Sequence, residues 1–277
     1  MSAVPGDLAL LTSAEMGRAD RLTIDGGIPG LTLMENAGRA VADAILARYP
    51  VQPVLVLCGP GNNGGDGWVV ARRLKQAGYD VACAALAPVS ALEGDAAAMA
   101  ARWDGPVLPF EPASLDGRAL VVDAVFGAGL ARDLDSPVLR MIEAVGAGRV
   151  VVAIDLPSGV NGDDGTIRGG AFTAALSVSF FRAKPGHLLY PGRGRTGHLV
   201  IADIGISPDV LAVIGPKLLR NGPALFARHF PVLRQDGHKY DRGHTAVLSG
   251  GALHTGAARL AARAALRIGS GLVTTLG

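Results

Sequence analysis

From Val54 onward, short apolar runs alternate with segments of helical periodicity, and this alternation constrains the fold more than any other feature of the chain. The runs are Val54–Leu57, Val81–Leu86, Leu120–Phe126, Val150–Ile154, Leu176–Phe180 and Leu199–Ile201. They are nearly continuous in Val, Leu, Ile and Ala, as strands buried on both faces are. Helices are predicted between them over Asp66–Ala77, Leu92–Arg102 and Ser136–Ala147, the last with Ser136 as N-cap and Pro137 at the first helical position. Strand–helix alternation predicts an α/β fold with a mostly parallel, doubly wound sheet. Such sheets bind ligands outside the carboxyl ends of their strands, where the strand order reverses. The loops leaving the strands are therefore the place to look for chemistry.

Two helices precede the sheet. Thr12-Ser13-Ala14-Glu15 reads as a capping box that opens a helix to about Ile24. Gly26-Gly27-Ile28-Pro29-Gly30 breaks it, and Thr32–Tyr49 follows with an apolar stripe at Leu33, Ala37, Val41, Ala44, Ile45 and Leu46. Beyond the last strand, Val213–Gly237 reads as a linker, with Gly215-Pro216, Gly222-Pro223, Pro231 and Gly237. Thr245–Ser249, Thr255–Arg267 and Leu272–Thr275 then form one strand–helix–strand fragment. It is too small to bury both faces of a sheet by itself.

Composition removes whole classes of function. The chain has 277 residues, 49% hydrophobic and 18% charged, which excludes intrinsic disorder. It has 39 glycines without a G-X-Y period, which excludes collagen and points to many tight loops. The net charge of +2 carries no clustered basic excess, so no nucleic-acid partner is expected. Cys58 and Cys83 lie in apolar stretches and read as buried free thiols in a reducing compartment. Met1–Leu11 has neither the basic start nor the apolar core of a leader. No apolar run approaches the ~18–20 residues of a membrane span, so a cytoplasmic location with no membrane partner is expected.

Three loops gather the polar residues. The first strand runs into Gly59-Pro60-Gly61-Asn62-Asn63-Gly64-Gly65-Asp66-Gly67. Gly59, Gly61 and Gly64 satisfy G-x-G-x-x-G, a spacing that lets backbone N–H groups and a helix N-terminus approach a pyrophosphate. The acid that a dehydrogenase carries at the end of its second strand is replaced by Leu86-Ala87-Pro88, and no G-K-[ST] occurs. Asn62, Asn63 and Asp66 are polar groups that a purely structural turn would not need. Asp123 stands inside an apolar strand, and Asp155 follows Val151–Ile154 directly, with Ser158 beyond the turn at Pro157. A buried acid is costly unless paired or coordinated. Loop capping by Asp123 or Asp155 is the structural alternative. No G-x-S-x-G elbow surrounds Ser158, so it is a poor nucleophile. Asn63, Asp123 and Ser158 together offer oxygen ligands only, which suits a hard cation, whether monovalent or Mg²⁺.

Four motifs then stand in a recognisable order: Gly59–Gly67, Val122-Asp123-Ala124-Val125-Phe126-Gly127-Ala128-Gly129, Asp155-Leu156-Pro157-Ser158-Gly159 and Lys184-Pro185-Gly186-His187. Over residues 8–212 the chain resembles the YjeF N-terminal family, the NAD(P)H-hydrate epimerases. Residues 238–277 include His238-Lys239-Tyr240-Asp241-Arg242-Gly243-His244. They resemble the start of the ADP- or ATP-dependent NAD(P)H-hydrate dehydratase, a ribokinase-like domain fused behind the epimerase in many bacteria.

The resemblance implies a Rossmann-like three-layer α/β/α sandwich, often dimeric, followed by an incomplete ribokinase-like piece from which no dehydratase activity is expected. It implies an isomerase for the R and S forms of hydrated NADH and NADPH. The implied substrate contacts are Asn62, Asn63, Gly64, Gly65 and Asp66, then Gly127, Ala128, Gly129, Leu130, Ala131, Arg132 and Asp133, and Asp155. It implies one potassium ion on Asn63, Asp123 and Ser158. The substrate is a hemiaminal, and epimerisation breaks and re-forms its C–O or C–N bond with a proton moved at the oxygen. Asp155 is the expected acid/base. Lys184 reads as a solvated loop lysine or a phosphate contact, and His187 as turn chemistry. A different nucleotide-binding enzyme on this fold, or a non-catalytic scaffold module, are the alternatives.

Overall fold

The computed structural model describes residues 6–146, 148–232 and 234–277. Met1–Pro5, in the stretch read for a leader, lie outside them, as do Ala147, the end of a predicted helix, and Leu233, in the expected linker. The chain divides into two compact units at Asn221/Gly222.

In the first unit the strands are β1 (Ala9–Leu10), β2 (Val54–Cys58), β3 (Val81–Ala85), β4 (Val107–Leu108), β5 (Leu120–Ala124), β6 (Val150–Ile154), β7 (Leu176–Phe180), β8 (His198–Ala202) and β9 (Leu218–Leu219). The helices are α1 (Ser13–Asp25), α2 (Gly30–Leu46), α3 (Asn62–Gln76), α4 (Gly94–Ala100), α5 (Ser136–Val145), α6 (Arg193–Thr196) and α7 (Val210–Ile214). Seven strands form one parallel sheet in the order β4-β3-β2-β5-β6-β7-β8. The chain builds outward from β2 in one direction, then returns to lay β5 on its other side. The switch point therefore falls between β2 and β5.

Alternation along each strand divides the core in two. Val54, Val56 and Cys58 of β2, with Leu120 and Val122 of β5, pack under α1, α2, α3 and α4. Leu55 and Leu57, with Val121 and Val151, pack under Val138, Met141 and Val145 of α5. Each such aliphatic side chain contributes about 1.5–3 kcal/mol by leaving water. The two packed faces make the expected three-layer α/β sandwich. Cys58 and Cys83 are buried free thiols within it. Among the described residues no helix is long and apolar enough to cross a membrane.

Several local expectations change. α3 begins at Asn62, four residues before the predicted start. The glycines at 64, 65 and 67 are buried in its first turns, packed on the sheet and on Met34, so they serve close helix–strand approach. α5 takes Asp135, not Ser136, as its N-cap, and no side-chain cap bond forms. The two-residue strands β1, β4 and β9 carry too little apolar pattern to be read from sequence. β9 pairs antiparallel with β1, and Val210, Leu211 and Ile214 of α7 pack on the core. Residues 213–221 thus belong to the first unit, and the expected linker over 213–237 begins too early. Its residues look like loop by composition, yet they cover core.

The second unit holds α8 (Pro223–Phe226), β10 (His244–Leu248), α9 (Gly256–Ile268) and β11 (Leu272–Leu276). β10 and β11 pair in parallel, the expected strand–helix–strand arrangement.

Candidate active site

The carboxyl ends of β2, β5 and β6 open into a cavity of about 740 Å³. Its wall includes Asn62, Asn63 and Asp66 from α3, the loop Val125–Arg132 after β5, Asp155 after β6, Lys184 after β7 and Asp20 from α1. A side-chain Cβ at Gly127 would lie 3.0 Å from Asn63 Oδ1 and 3.1 Å from Asp155 Oδ2. The absence of a side chain there leaves both polar groups open to the cavity.

Asp155 is the most constrained residue of the site. Its φ of +62° lies in the left-handed region, which asparagine and aspartate tolerate better than most residues and which clusters at functional sites. Its N–H donates to Val178 O at 2.8 Å. His187 bridges the turn: its Nδ1 accepts from Lys184 N at 2.9 Å and its Nε2 meets Asp155 O at 2.8 Å. With Nδ1 accepting, the proton sits on Nε2, and burial lowers the imidazole pKa, so the ring is neutral. Lys184 Nζ and Ser179 Oγ each donate to Asp155 Oδ1 at 2.7 Å, and Ala128 N donates to Oδ2 at 3.0 Å. Burial alone would raise this carboxyl, but the Lys184 charge and these donors outweigh it and hold the pKa at about 2. Asp155 is a fixed negative charge at neutral pH.

Beneath it, Asp123 is fully buried on the face of Leu57 and Ala153. Its Oδ2 accepts from Ser158 N at 2.7 Å, and its Oδ1 from Ser158 Oγ at 2.6 Å. Ser158 Oγ also lies 3.0 Å from Phe126 O and accepts from Phe126 N at 2.8 Å. One hydroxyl proton therefore faces two oxygens. No cationic side chain pairs with Asp123 among the described residues, and burial raises its pKa to about 6. Asn63 Nδ2 is buried without a partner.

A sequence model for the YjeF-related protein N-terminus matches residues 30–186. The chain belongs to the YjeF-related N-terminal family. A relative from Limosilactobacillus fermentum named NAD(P)H-hydrate epimerase is 38% identical over 70% of the chain and 95% of its own length. Relatives from Coxiella burnetii and Pyrobaculum aerophilum, each named bifunctional NAD(P)H-hydrate repair enzyme Nnr, are 36% and 40% identical. The chain covers 96% and 94% of itself against them but 55% and 53% of their lengths, so it spans about half of these curated relatives. The crystal structure of the yeast protein ynu0 (YNL200c) matches with a TM-score of 0.63 at 24% identity over 78% of the chain and 96% of that chain, a likeness of fold.

Within this YjeF-related site, Asn62, Asn63, Asp66, Asp155, Gly127, Ala128, Gly129, Leu130, Ala131 and Arg132 line one cavity. Gly64 and Gly65 do not: they are buried at helix contacts. Asp133 is exposed and also off the cavity wall. Asp123 and Ser158 lie behind the wall. Lys184 is neither a solvated lysine nor an open phosphate contact, because it is 1% exposed and paired with Asp155. Asp20 and Ser179 were outside every sequence motif. Asp20 stands at a helix position with no sequence signal of a site, and Ser179 sits within a strand. Lys184 and His187 carried a signal in their shared motif, but the motif did not reveal that both point inward.

Proposed function

We propose that this chain is an NAD(P)H-hydrate epimerase, interconverting the R and S forms of hydrated NADH and NADPH. The observation that carries the reading is the convergence of the family's separate motifs on one cavity at the switch point, around an ionised Asp155 locked by Lys184. The hydrate's ring gains positive charge as its hydroxyl departs, and a fixed carboxylate stabilises such charge without reorganising. Arg132, at the rim of the cavity, and the N-terminus of α3 are suited to the anionic part of a dinucleotide. The buried free thiols suit a reducing cytoplasm. A homodimer and, in longer relatives, a following dehydratase step belong to the same reading.

The reading is tested by incubating an R/S hydrate mixture, enriched in one epimer, with the protein and separating the epimers by chromatography. Approach to the equilibrium ratio well ahead of the spontaneous rate is the expected result. A ratio drifting no faster than buffer removes the activity and leaves a binding module as the function.

A monovalent cation, potassium in this reading, suits the oxygen set around Asp123. Asp123, Ser158 and Asn63 would hold it. The buried carboxylate without a counter-charge, and the Ser158 hydroxyl whose single proton serves two oxygens, support this donor set. When bound, the ion would neutralise Asp123 and tie the N-terminus of α3 at Asn63 to the loop of Ser158. Replacing potassium by tetramethylammonium at constant ionic strength should then lower both the epimerisation rate and Tm, since a ligand of the native state stabilises it. Equal rate and equal Tm in the two salts would remove the ion.

A further inference from the structure

Four carboxylates and one lysine line the cavity: Asp155 and Lys184 after the central strands, Asp66 on α3, Asp20 on α1 and Asp95 on α4. Their surroundings divide them. Asp155 accepts three hydrogen bonds, one of them its ion pair with Lys184. Asp66 is 9% exposed, and no described residue donates to its carboxyl. Asp66 thus has its hydrogen-bonding capacity free for whatever enters the cavity, while Asp155 has spent its own on the protein.

We infer that Asp66 is the proton donor and acceptor for the reacting hydroxyl, and that Asp155, fixed by Lys184, serves as the ionised partner of the charged ring. The inference rests on the epimerase reading above and assigns within it a role that sequence reasoning gave to Asp155. Electrostatics support the division. Burial, then the negative charges of Asp155 and Asp20, raise Asp66 well above the ordinary carboxylate range, with Lys184 opposing. Asp20 is raised to about 6, chiefly by burial. Two carboxyls whose environments push them apart mark an acid and a charge stabiliser.

The Asp66 carboxylic acid gives its proton to the hydroxyl oxygen. The C–O bond breaks with its electron pair on oxygen, so water leaves, and the ring nitrogen lone pair forms C=N. The ring is then cationic beside the Asp155 carboxylate. Water adds to the opposite face, the C=N pair returns to nitrogen, and the Asp66 carboxylate takes up the released proton.

The test compares wild type with Asp66→Asn, using epimer chromatography for kcat and KM and uptake of ¹⁸O from labelled water into the hydrate. Asn has nearly the shape of Asp but no acidic proton. kcat should fall about 10²–10⁴-fold with KM changed only a few-fold, and enzymatic ¹⁸O uptake should fall in step. Asn also removes a buried acid, so Tm should not drop. Asp66→Ser serves if the Asn variant fails to fold. An active wild type whose Asp66→Asn variant keeps more than about a tenth of kcat overturns this role alone. So does wild-type epimerisation without ¹⁸O uptake, which would mean that the C–O bond stays intact. A wild type with no epimerase activity overturns the functional reading and this role with it.

Discussion

Replacing Asp155 by Asn is expected to lower epimerisation by about 10²–10³-fold, the scale of losing one preorganised electrostatic contact to developing charge. It should also destabilise the fold, although Asn is nearly isosteric with Asp. Lys184 is 1% exposed, and its ammonium faces Asp155 Oδ1 at 2.7 Å. Removing one partner of a buried pair costs about 3–5 kcal/mol. The amide oxygen left behind still accepts a hydrogen bond, which places the loss toward the lower end. The pH dependence has a definite sign. Burial raises the Asp155 carboxyl, but Lys184 and the donors hold it down at about 2, below its unfolded value. Its stabilising contribution is therefore present above the ordinary carboxylate pKa and is lost as pH falls through 2. The Tm gap between wild type and variant should be full at pH 7 and close toward pH 2. The double variant Asp155→Asn/Lys184→Met should recover Tm but not activity. A single variant with wild-type Tm at pH 7 would show that the ion pair carries no net stability.

Gly64→Ala should be strongly disruptive, although it adds one methyl group. A Cβ there would overlap the backbone carbonyl oxygen of Gly59, and it would lie 2.7 Å from Gly59 C. Backbone on both sides cannot rotate away, so β2 and α3 must separate. Overpacking of this kind costs about 1–3 kcal/mol. The shift carries Asn62, Asn63 and Asp66 with the helix, and a displacement near 1 Å is worth about 10²-fold in rate. Gly61→Ala is the internal control. Nothing lies within 4 Å of its Cβ position, and its φ of −104° suits any residue. Circular-dichroism melts and kcat/KM for both variants check the contrast. Equal behaviour of the two would mean that β2 and α3 tolerate separation and that the glycines serve something other than close approach.

That contrast also shows how far the sequence could be read. The G-x-G-x-x-G spacing marked Gly59, Gly61 and Gly64 alike, but only contact distances separate the two that need glycine from the one that does not. The capping box of Thr12 and Glu15 formed as read, because both partners lie within one turn: Glu15 N donates to Thr12 Oγ1 at 3.2 Å, and Thr12 N to Glu15 Oε2 at 2.8 Å. The strands β2 and β6 were legible because burial on both faces requires unbroken apolar runs, and β5 and β7 because only one acid or two serines interrupt an otherwise apolar run. β1, β4 and β9 were not, since two residues hold no period and their pairing depends on segments far apart in the chain.

The sequence by itself determined the α/β class, the helix starts that rest on local hydrogen bonds, and the motifs that carry Asn63, Asp66, Asp123, Asp155 and Ser158. These follow from periodicity and residue chemistry over a few neighbours. The tertiary structure alone decided which charges meet. Lys184 turned inward to Asp155, His187 fixed the turn between them, and Asp20 arrived from α1 to the same cavity as Asp66. A carboxyl's charge depends on burial and on partners far from it in the chain. Four aspartates that look alike in sequence therefore became a fixed anion at 155, a carboxyl raised by burial and like charge at 66, its raised neighbour at 20 and a buried carboxyl without a counter-charge at 123.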